Sequence, residues 1–170
     1  MLIFAQKTIT VFSNLTNSQY YYFSMKKLIS TLMVLLSTIG MMAQEQIIIT
    51  QNVQYDEHKS CVLDIAQPVS ADKTPRPAIV IVHGGGWSAG DKRDAVYTNL
   101  LVDYAMKGYV TFSVNYRLTQ EAPMPACIED VERSVAWIKA HAKEYGVDAT
   151  RIGSFGHSAG GHLSLMLGVK

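Results

Sequence analysis

The sequence Gly156-His157-Ser158-Ala159-Gly160-Gly161 decides the fold of this 170-residue chain. It follows a short apolar run, 151–155, and precedes an apolar segment with helical character. A serine in a G-x-S-x-G turn between a strand and a helix is lifted clear of the backbone, because the flanking glycines let a strained turn form without Cβ clashes. We therefore take Ser158 as the candidate nucleophile.

A second glycine-rich stretch, His83-Gly84-Gly85-Gly86-Trp87, follows the continuously apolar run 78–82, which is typical of a strand buried on both faces. Acyl transfer needs a nucleophile, a base, a group that orients the base, and N–H donors for the oxyanion. The backbone N–H of Ala159, at the head of a helix, is one candidate donor. The others belong to Gly85 and Gly86, where no side chain blocks approach.

The remaining segments alternate between strand and helix patterns. Two β-branched runs, 47–55 and 60–66, predict an antiparallel hairpin. Further strands are predicted over 78–82, 109–114 and 151–155. The order β-α-β-α-β from residue 78 onward predicts an α/β fold with a mostly parallel sheet and helices on both faces. Apolar residues recur at helical spacing in both intervening segments, at Val96, Leu100, Leu101 and Tyr104 and at Ile128, Val131, Val135, Ile138 and Ala142.

The two glycine motifs, about seventy residues apart, together resemble the N-terminal half of an α/β-hydrolase of the esterase/lipase group. That group includes hormone-sensitive-lipase-like enzymes and secreted carbohydrate esterases, and the resemblance covers about residues 46–169. It implies a serine carboxylic-ester hydrolase that needs no metal or cofactor and acts on small-molecule or carbohydrate esters. It assigns Ser158 as nucleophile, Gly85, Gly86 and Ala159 as oxyanion donors, and His83, Gly84, Trp87, Gly156, His157 and Gly160 as motif support. His83 and His157 are expected to shape their turns.

The resemblance also implies an acid and a histidine on loops that follow later strands. After Ser158 the chain offers only His162 and no acid. His162 lies one helical turn beyond the serine, so we expect it to pack or cap. We therefore expect a C-terminally truncated fold, with 44–170 as the N-terminal part of the domain and nearly inactive alone. Three acids are expected to be structural: Asp64, Asp91 and Asp130.

Three alternatives remain open. A serine peptidase of the prolyl-oligopeptidase type shares the serine turn but usually lacks the glycine loop, and a non-catalytic binding protein could use the same fold. The third is a dinucleotide-binding domain, because the glycine loop formally matches G-x-G-x-x-A. That fingerprint needs a helix at the glycines and an acid after the next strand, whereas Trp87 interrupts the first and Asn115 occupies the second.

The N-terminal region has a different composition. Lys26-Lys27 precede an apolar run of about fifteen residues that ends at small residues, which indicates a signal peptide over 25–43, shorter than the roughly twenty residues of a spanning helix. We expect cleavage after Ala43 and export. Residues 1–24 are expected to be an upstream extension.

Composition excludes some functions. With 48% hydrophobic and 17% charged residues the chain suits one globular domain, and a formal net charge of +1 argues against a nucleic-acid surface. Cys61 and Cys127 have no metal-ligand spacing. They are interpreted as two buried small residues, and a bridge between them stays open. The oligomeric state is not predicted.

Overall fold

The computed structural model describes residues 21–33, 46–70 and 72–168. The chain forms two compact units, Met1–Gln44 and Glu45–Lys170. In the first, 21–33 form a helix, α1, whose residues are all exposed. No helix within the described ranges is long and apolar enough to cross a membrane. The predicted extension 1–24 and signal peptide 25–43 extend outside the described residues, and so does the predicted cleavage after Ala43.

The described part of the second unit follows the predicted hairpin and β-α-β-α-β order. Its first elements are β1 (Ile47–Gln54), β2 (Val62–Pro68), β3 (Arg76–Val82) and α2 (Ala95–Met106). These are followed by β4 (Val110–Val114), α3 (Ala126–Ala140), β5 (Val147–Gly156) and α4 (Ala159–Gly168). Gly108, with φ +91°, ends the turn after α2 as expected for a left-handed residue at a helix C-terminus.

The sheet has the order β1-β2-β4-β3-β5. β3 runs parallel to both β4 and β5, whereas β2 runs antiparallel to β1 and β4. Four of the five strands therefore point the same way, which confirms the mostly parallel sheet. The carboxyl ends of β3 and β5, which carry the two glycine motifs, lie side by side because Val82 pairs with Gly156.

Helices cover both faces of the sheet, as predicted. On one face Val80 and Val82 of β3 belong to the core that α3 and α4 complete. On the other face Ile81 packs in a separate cluster with α2. Successive side chains of a strand point to opposite faces, so β3 contributes to both clusters.

The buried stripe of α2 differs from the predicted one. Val96 is 56% exposed, and the helix instead buries Tyr97, Leu101 and Ala105. The prediction that Val96 is buried was wrong, because the apolar spacing alone favoured valine over the adjacent Tyr97. The Tyr97 phenol has a hydrogen-bond partner in the interior and so turns inward.

α3 buries Val131 and Ile138 as predicted, with Ile128 and Val135 partly buried against the same core. It also buries Asp130 and Ser134, two polar residues whose burial an apolar pattern does not reveal. Cys61 and Cys127 are both buried free thiols, in agreement with their interpretation as small core residues.

Candidate active site

Ser158 occupies the sharp turn between β5, which ends at Gly156, and α4, which begins at Ala159. Its φ of 54° lies in the left-handed region, which costs a non-glycine residue free energy and is often found at functional sites. Its side chain is exposed. The turn closes through Gly160 N–H to His157 O at 3.0 Å and His162 N–H to Ser158 O at 3.1 Å. This geometry presents the hydroxyl at the N-terminus of α4.

Two glycines let this turn sit directly against the end of β3. A Cβ on Gly160 would lie 2.1 Å from Val82 O and 2.6 Å from His83 O. A Cβ on Gly156 would lie 2.5 Å from Val82 O. Real Cβ atoms do not approach backbone oxygens so closely. The glycines are therefore required for the contact between the two motifs.

The glycine loop after β3 has an unusual backbone. Gly85, Gly86 and Trp87 all have positive φ, at 115°, 60° and 59°. Ser88 N–H and Ala89 N–H both donate to Gly85 O, at 3.1 and 3.0 Å. A Cβ on Gly85 would lie 2.0 Å from Ala89 O, so only glycine fits at this position. The loop is thus a tight turn built on its second glycine.

Not every N–H of the loop is free. Gly84 N–H donates to the Tyr97 hydroxyl at 2.7 Å, and a Cβ on Gly84 would lie 2.7 Å from His157 O. Gly84 is therefore buried against the serine turn. Within the described ranges, the exposed Gly85 and Gly86 N–H groups have no hydrogen-bond acceptor. Both N–H groups are therefore available to a ligand.

His83 is part of the support for the loop. It is 1% exposed and stacks on Tyr116 with ring centroids 4.3 Å apart. Its Nδ1 lies 2.7 Å from Gly84 O, and a carbonyl can only accept, so Nδ1 carries the proton. Tyr116 O–H donates to His83 O at 2.9 Å. Burial lowers the pKa of His83. Through these contacts the ring supports the backbone of the turn.

The two histidines near Ser158 are both exposed, His157 in the turn and His162 on α4. The ring of His162 lies perpendicular to that of Trp87, with centroids 5.5 Å apart, which confirms the predicted packing role. No carboxylate among the described residues hydrogen-bonds to either histidine. Neither therefore has the orienting acid that a general base of a triad requires.

A buried ion pair anchors the chain that follows the loop. Lys92 Nζ donates to Asp64 Oδ1 at 2.7 Å, and both side chains are almost fully buried. Arg93 adds a second contact to Asp64 at 2.8 Å. Burial alone raises the pKa of Asp64, but the hydrogen bonds from Arg93 and Lys92 outweigh it and lower that pKa. The lysine backbone N–H donates to Asn115 Oδ1 at 2.6 Å.

A second network lies beside α3. Arg117 donates to Asp130 through Nε at 2.8 Å and Nη2 at 2.6 Å, and Arg133 also contacts this buried carboxylate. Burial raises the pKa of Asp130, but the Arg117 hydrogen bonds outweigh that effect and the net pKa is lowered. Asp56, Cys61 and Asp130 lie within ligand distance of one another. Both acids are already paired with arginine, so the cluster fits an ion-pair network.

The structural roles expected for the acids are therefore confirmed, Asp91 accepting from Asn115 Nδ2 at 2.8 Å. Sequence reasoning missed the two tyrosines that hold the glycine loop. Tyr116 lies two residues after the end of β4, beside Asn115, which sequence reasoning considered only for a dinucleotide site. Tyr97 gave no signal beyond its helical position, because its partner is a backbone N–H thirteen residues away.

Known proteins similar to this chain include esterases, which agrees with a nucleophilic serine at the turn. The family model described as BD-FAE matches residues 63–170. Two similar proteins come from Mycobacterium tuberculosis. Esterase LipC is 30% identical over a match that covers 76% of this chain and 32% of LipC. Carboxylesterase NlhH is 39% identical over a match that covers 59% of this chain and 30% of NlhH. This chain thus spans about a third of the curated relatives it matches.

A solved structure titled "Truncated form of carbohydrate esterase from gut microbiota" is 34% identical, with a TM-score of 0.62, over 71% of this chain and 42% of its own. The serine turn, the glycine loop and their order along a mostly parallel sheet fit the same assignment. The chain therefore belongs to the BD-FAE family of hormone-sensitive-lipase-like α/β-hydrolases.

Proposed function

We propose that this chain is the nucleophile-bearing part of a serine carboxylic-ester hydrolase that works through an acyl-enzyme. One observation carries the proposal: the backbone of the glycine loop packs directly on that of the serine turn, at Gly84 and His157. This contact puts the exposed N–H groups of Gly85 and Gly86 and the hydroxyl of Ser158 at the same end of the sheet. The names of the similar proteins, esterase and carboxylesterase, support the reaction class.

The proposed chemistry uses each group once. Ser158 Oγ attacks the ester carbonyl, its proton passes to a base, and the carbonyl oxygen takes the negative charge. That oxyanion accepts hydrogen bonds from Ala159 N–H at the start of α4 and from the loop N–H groups of Gly85 and Gly86. The tetrahedral intermediate collapses, the base returns the proton to the departing alcohol, and an acyl-serine remains. Water then attacks the acyl-serine and releases the acid.

We further propose that the base and its orienting acid come from sequence outside this chain. The support is that neither His157 nor His162 contacts a carboxylate in the described ranges, and that the chain spans about a third of its relatives. Loss of the triad histidine costs about a million-fold in turnover in a serine protease. An intact oxyanion hole leaves roughly a thousand-fold over water. The chain alone is therefore expected to be nearly inactive.

For the substrate, we propose small or carbohydrate-linked esters encountered outside the cytoplasm. The similarity to a carbohydrate esterase from gut microbiota supports the carbohydrate-linked class. The positively charged start and apolar run of residues 25–43 support export. N-terminal sequencing of protein recovered from the medium or periplasm tests export, with Gln44 as the expected first residue. Recovery only from the cytoplasm with residues 25–43 still attached would contradict it.

Hydrolysis of p-nitrophenyl acetate by the product of the complete reading frame, with and without Ser158→Ala, tests the activity. We expect Ser158→Ala to lose at least a thousand-fold, because no other nucleophile stands at the turn. Ser164→Ala is the matched control, since that serine lies on α4, directly after the turn, and its hydroxyl has no hydrogen bond in the described structure. Equal rates for Ser158→Ala and the unsubstituted protein would refute the proposal.

The same preparations address substrate class. Acetate release from acetylated xylan, measured beside p-nitrophenyl acetate and a peptide p-nitroanilide, separates carbohydrate esterase, simple esterase and peptidase. We expect serine-dependent release from the first two. Cleavage of the peptide alone would favour a peptidase instead.

A further inference from the structure

The contact between His162 and Trp87 joins the two halves of the candidate site. His162 lies one turn after Ser158 on α4, and its N–H donates to Ser158 O at 3.1 Å. Trp87 directly follows Gly86, one of the proposed oxyanion donors. Their rings are perpendicular with centroids 5.5 Å apart, the edge-to-face arrangement that aromatic pairs prefer.

Trp87 depends on packing for its orientation. Its φ of 59° is unfavourable for a bulky residue, so the surroundings must hold it there. The backbone is fixed on one side, because Thr119 N–H donates to Trp87 O at 2.8 Å. The buried indole Nε1 has no acceptor among the described residues. Since no described hydrogen bond orients the indole, its packing against the core and against the ring of His162 does so.

We infer that His162 is a positioning residue whose ring keeps Trp87, and through it the Gly85 and Gly86 N–H groups, in place beside Ser158. The inference rests on the proposed function, because it concerns the oxyanion donors of that reaction. His162 acts here through the shape of its ring. A role in proton transfer would require an acid partner, and no described carboxylate hydrogen-bonds to it.

This role has a kinetic signature. Oxyanion donors act on charge that develops in the transition state, so a displaced loop lowers kcat and leaves KM nearly unchanged. The interaction free energy of one aromatic pair is large enough to change a rate by about two- to tenfold. Removing the ring is therefore expected to lower kcat about three- to tenfold.

The test uses the product of the complete reading frame and three variants. His162→Leu keeps bulk but loses the aromatic ring, and His162→Phe keeps a ring but loses both nitrogens. Leu165→Ala is the matched control on α4, because Leu165 is an apolar side chain of the same helix that is 68% exposed. Steady-state kinetics on p-nitrophenyl butyrate and the rate of inactivation by a p-nitrophenyl alkylphosphonate are measured for each. The phosphonate resembles the tetrahedral intermediate, so its rate of reaction with Ser158 measures the contribution of the oxyanion donors to a single chemical step.

We expect His162→Leu to lower kcat and the inactivation rate by the same three- to tenfold factor, and His162→Phe to restore both to within twofold. Leu165→Ala is expected to match the unsubstituted protein. Unchanged kcat in His162→Leu, a change confined to KM, or failure of phenylalanine to restore the rate would overturn the inference. If Ser158→Ala retains full activity in the same assays, it is the proposed function that fails.

Discussion

Substituting Gly160 by alanine tests whether the backbone contact between α4 and β3 holds the serine turn. The added Cβ would lie 2.1 Å from Val82 O and 2.6 Å from His83 O. Both obstacles are backbone carbonyls of a paired strand, so neither can rotate aside as a side chain can. The helix must move away from the sheet by about 1.4 Å for the 2.1 Å approach to reach an ordinary contact of about 3.5 Å.

Two terms of opposite sign set the change in the free energy of unfolding. Alanine in place of glycine within a helix stabilises by about 1 kcal/mol. Overpacking a filled interior costs about 1–3 kcal/mol, and a rigid obstacle puts Gly160→Ala at the upper end. The net expectation is a loss of about 2 kcal/mol. A 1 Å displacement of the nucleophile also lowers turnover of the complete enzyme about a hundredfold.

Urea unfolding followed by tryptophan fluorescence measures the stability term. Gly153→Ala is the matched control, because a Cβ there meets nothing within 4 Å. Its midpoint is expected to stay within experimental error of the parent or to rise slightly. A Gly160→Ala protein as stable as the Gly153→Ala protein would refute the proposed contact.

Other substitutions and conditions test the loop and the ion pairs. Gly85→Ala is expected to abolish esterase activity of the complete protein, because its Cβ would lie 2.0 Å from a backbone oxygen. Gly86→Ala meets only a serine hydroxyl at 3.8 Å and adds only the strain of its φ of 60°, so it should lose less activity. Hydrolysis of p-nitrophenyl acetate distinguishes the two variants, and equal losses would contradict the reasoning. Asp64→Ala leaves buried Lys92 without a counter-ion and is expected to cost about 3–5 kcal/mol in urea unfolding. Asp72→Ala removes an exposed carboxylate bonded only to Thr74 in its own turn, and should shift the midpoint much less. The pKa of Asp130 is lowered in the folded protein, so its contribution to stability is complete above the unfolded value of about 3.9 and is lost as pH falls through the folded value. Asp130→Asn is therefore expected to lessen the drop in unfolding free energy between pH 5 and pH 2, and an unchanged pH dependence would contradict this assignment.

The parts of the site that could be predicted from the sequence are those in which the local backbone conformation requires a particular residue type. A strained serine between glycines and a run of three glycines after a buried strand each need particular residue types at fixed positions. The structure shows why, since Gly85 and Gly160 fill spaces that no Cβ could enter. The mostly parallel direction of the strands followed from the β-α-β-α-β alternation, because such connections have few allowed arrangements.

The parts that escaped prediction depend on partners distant in sequence. The burial of Lys92 is compensated by Asp64, twenty-eight residues earlier, and no local pattern reveals that pairing. Tyr97 turned inward in place of Val96 because its hydroxyl meets a backbone N–H of the glycine loop. Polar residues whose partners lie on other elements look like surface residues when only spacing is considered.

The contact between the glycine loop and the serine turn has a consequence for how such an enzyme can change its substrate. The atoms that meet there are main-chain atoms, at Gly84 against His157 and at Gly160 against Val82 and His83. Side-chain replacement in these segments therefore disturbs the catalytic frame before it can alter recognition. In the proposed enzyme, variation in substrate preference is therefore expected to arise in the surrounding loops. A mutagenesis library that leaves 83–87 and 156–160 intact should keep the reaction while exploring new esters.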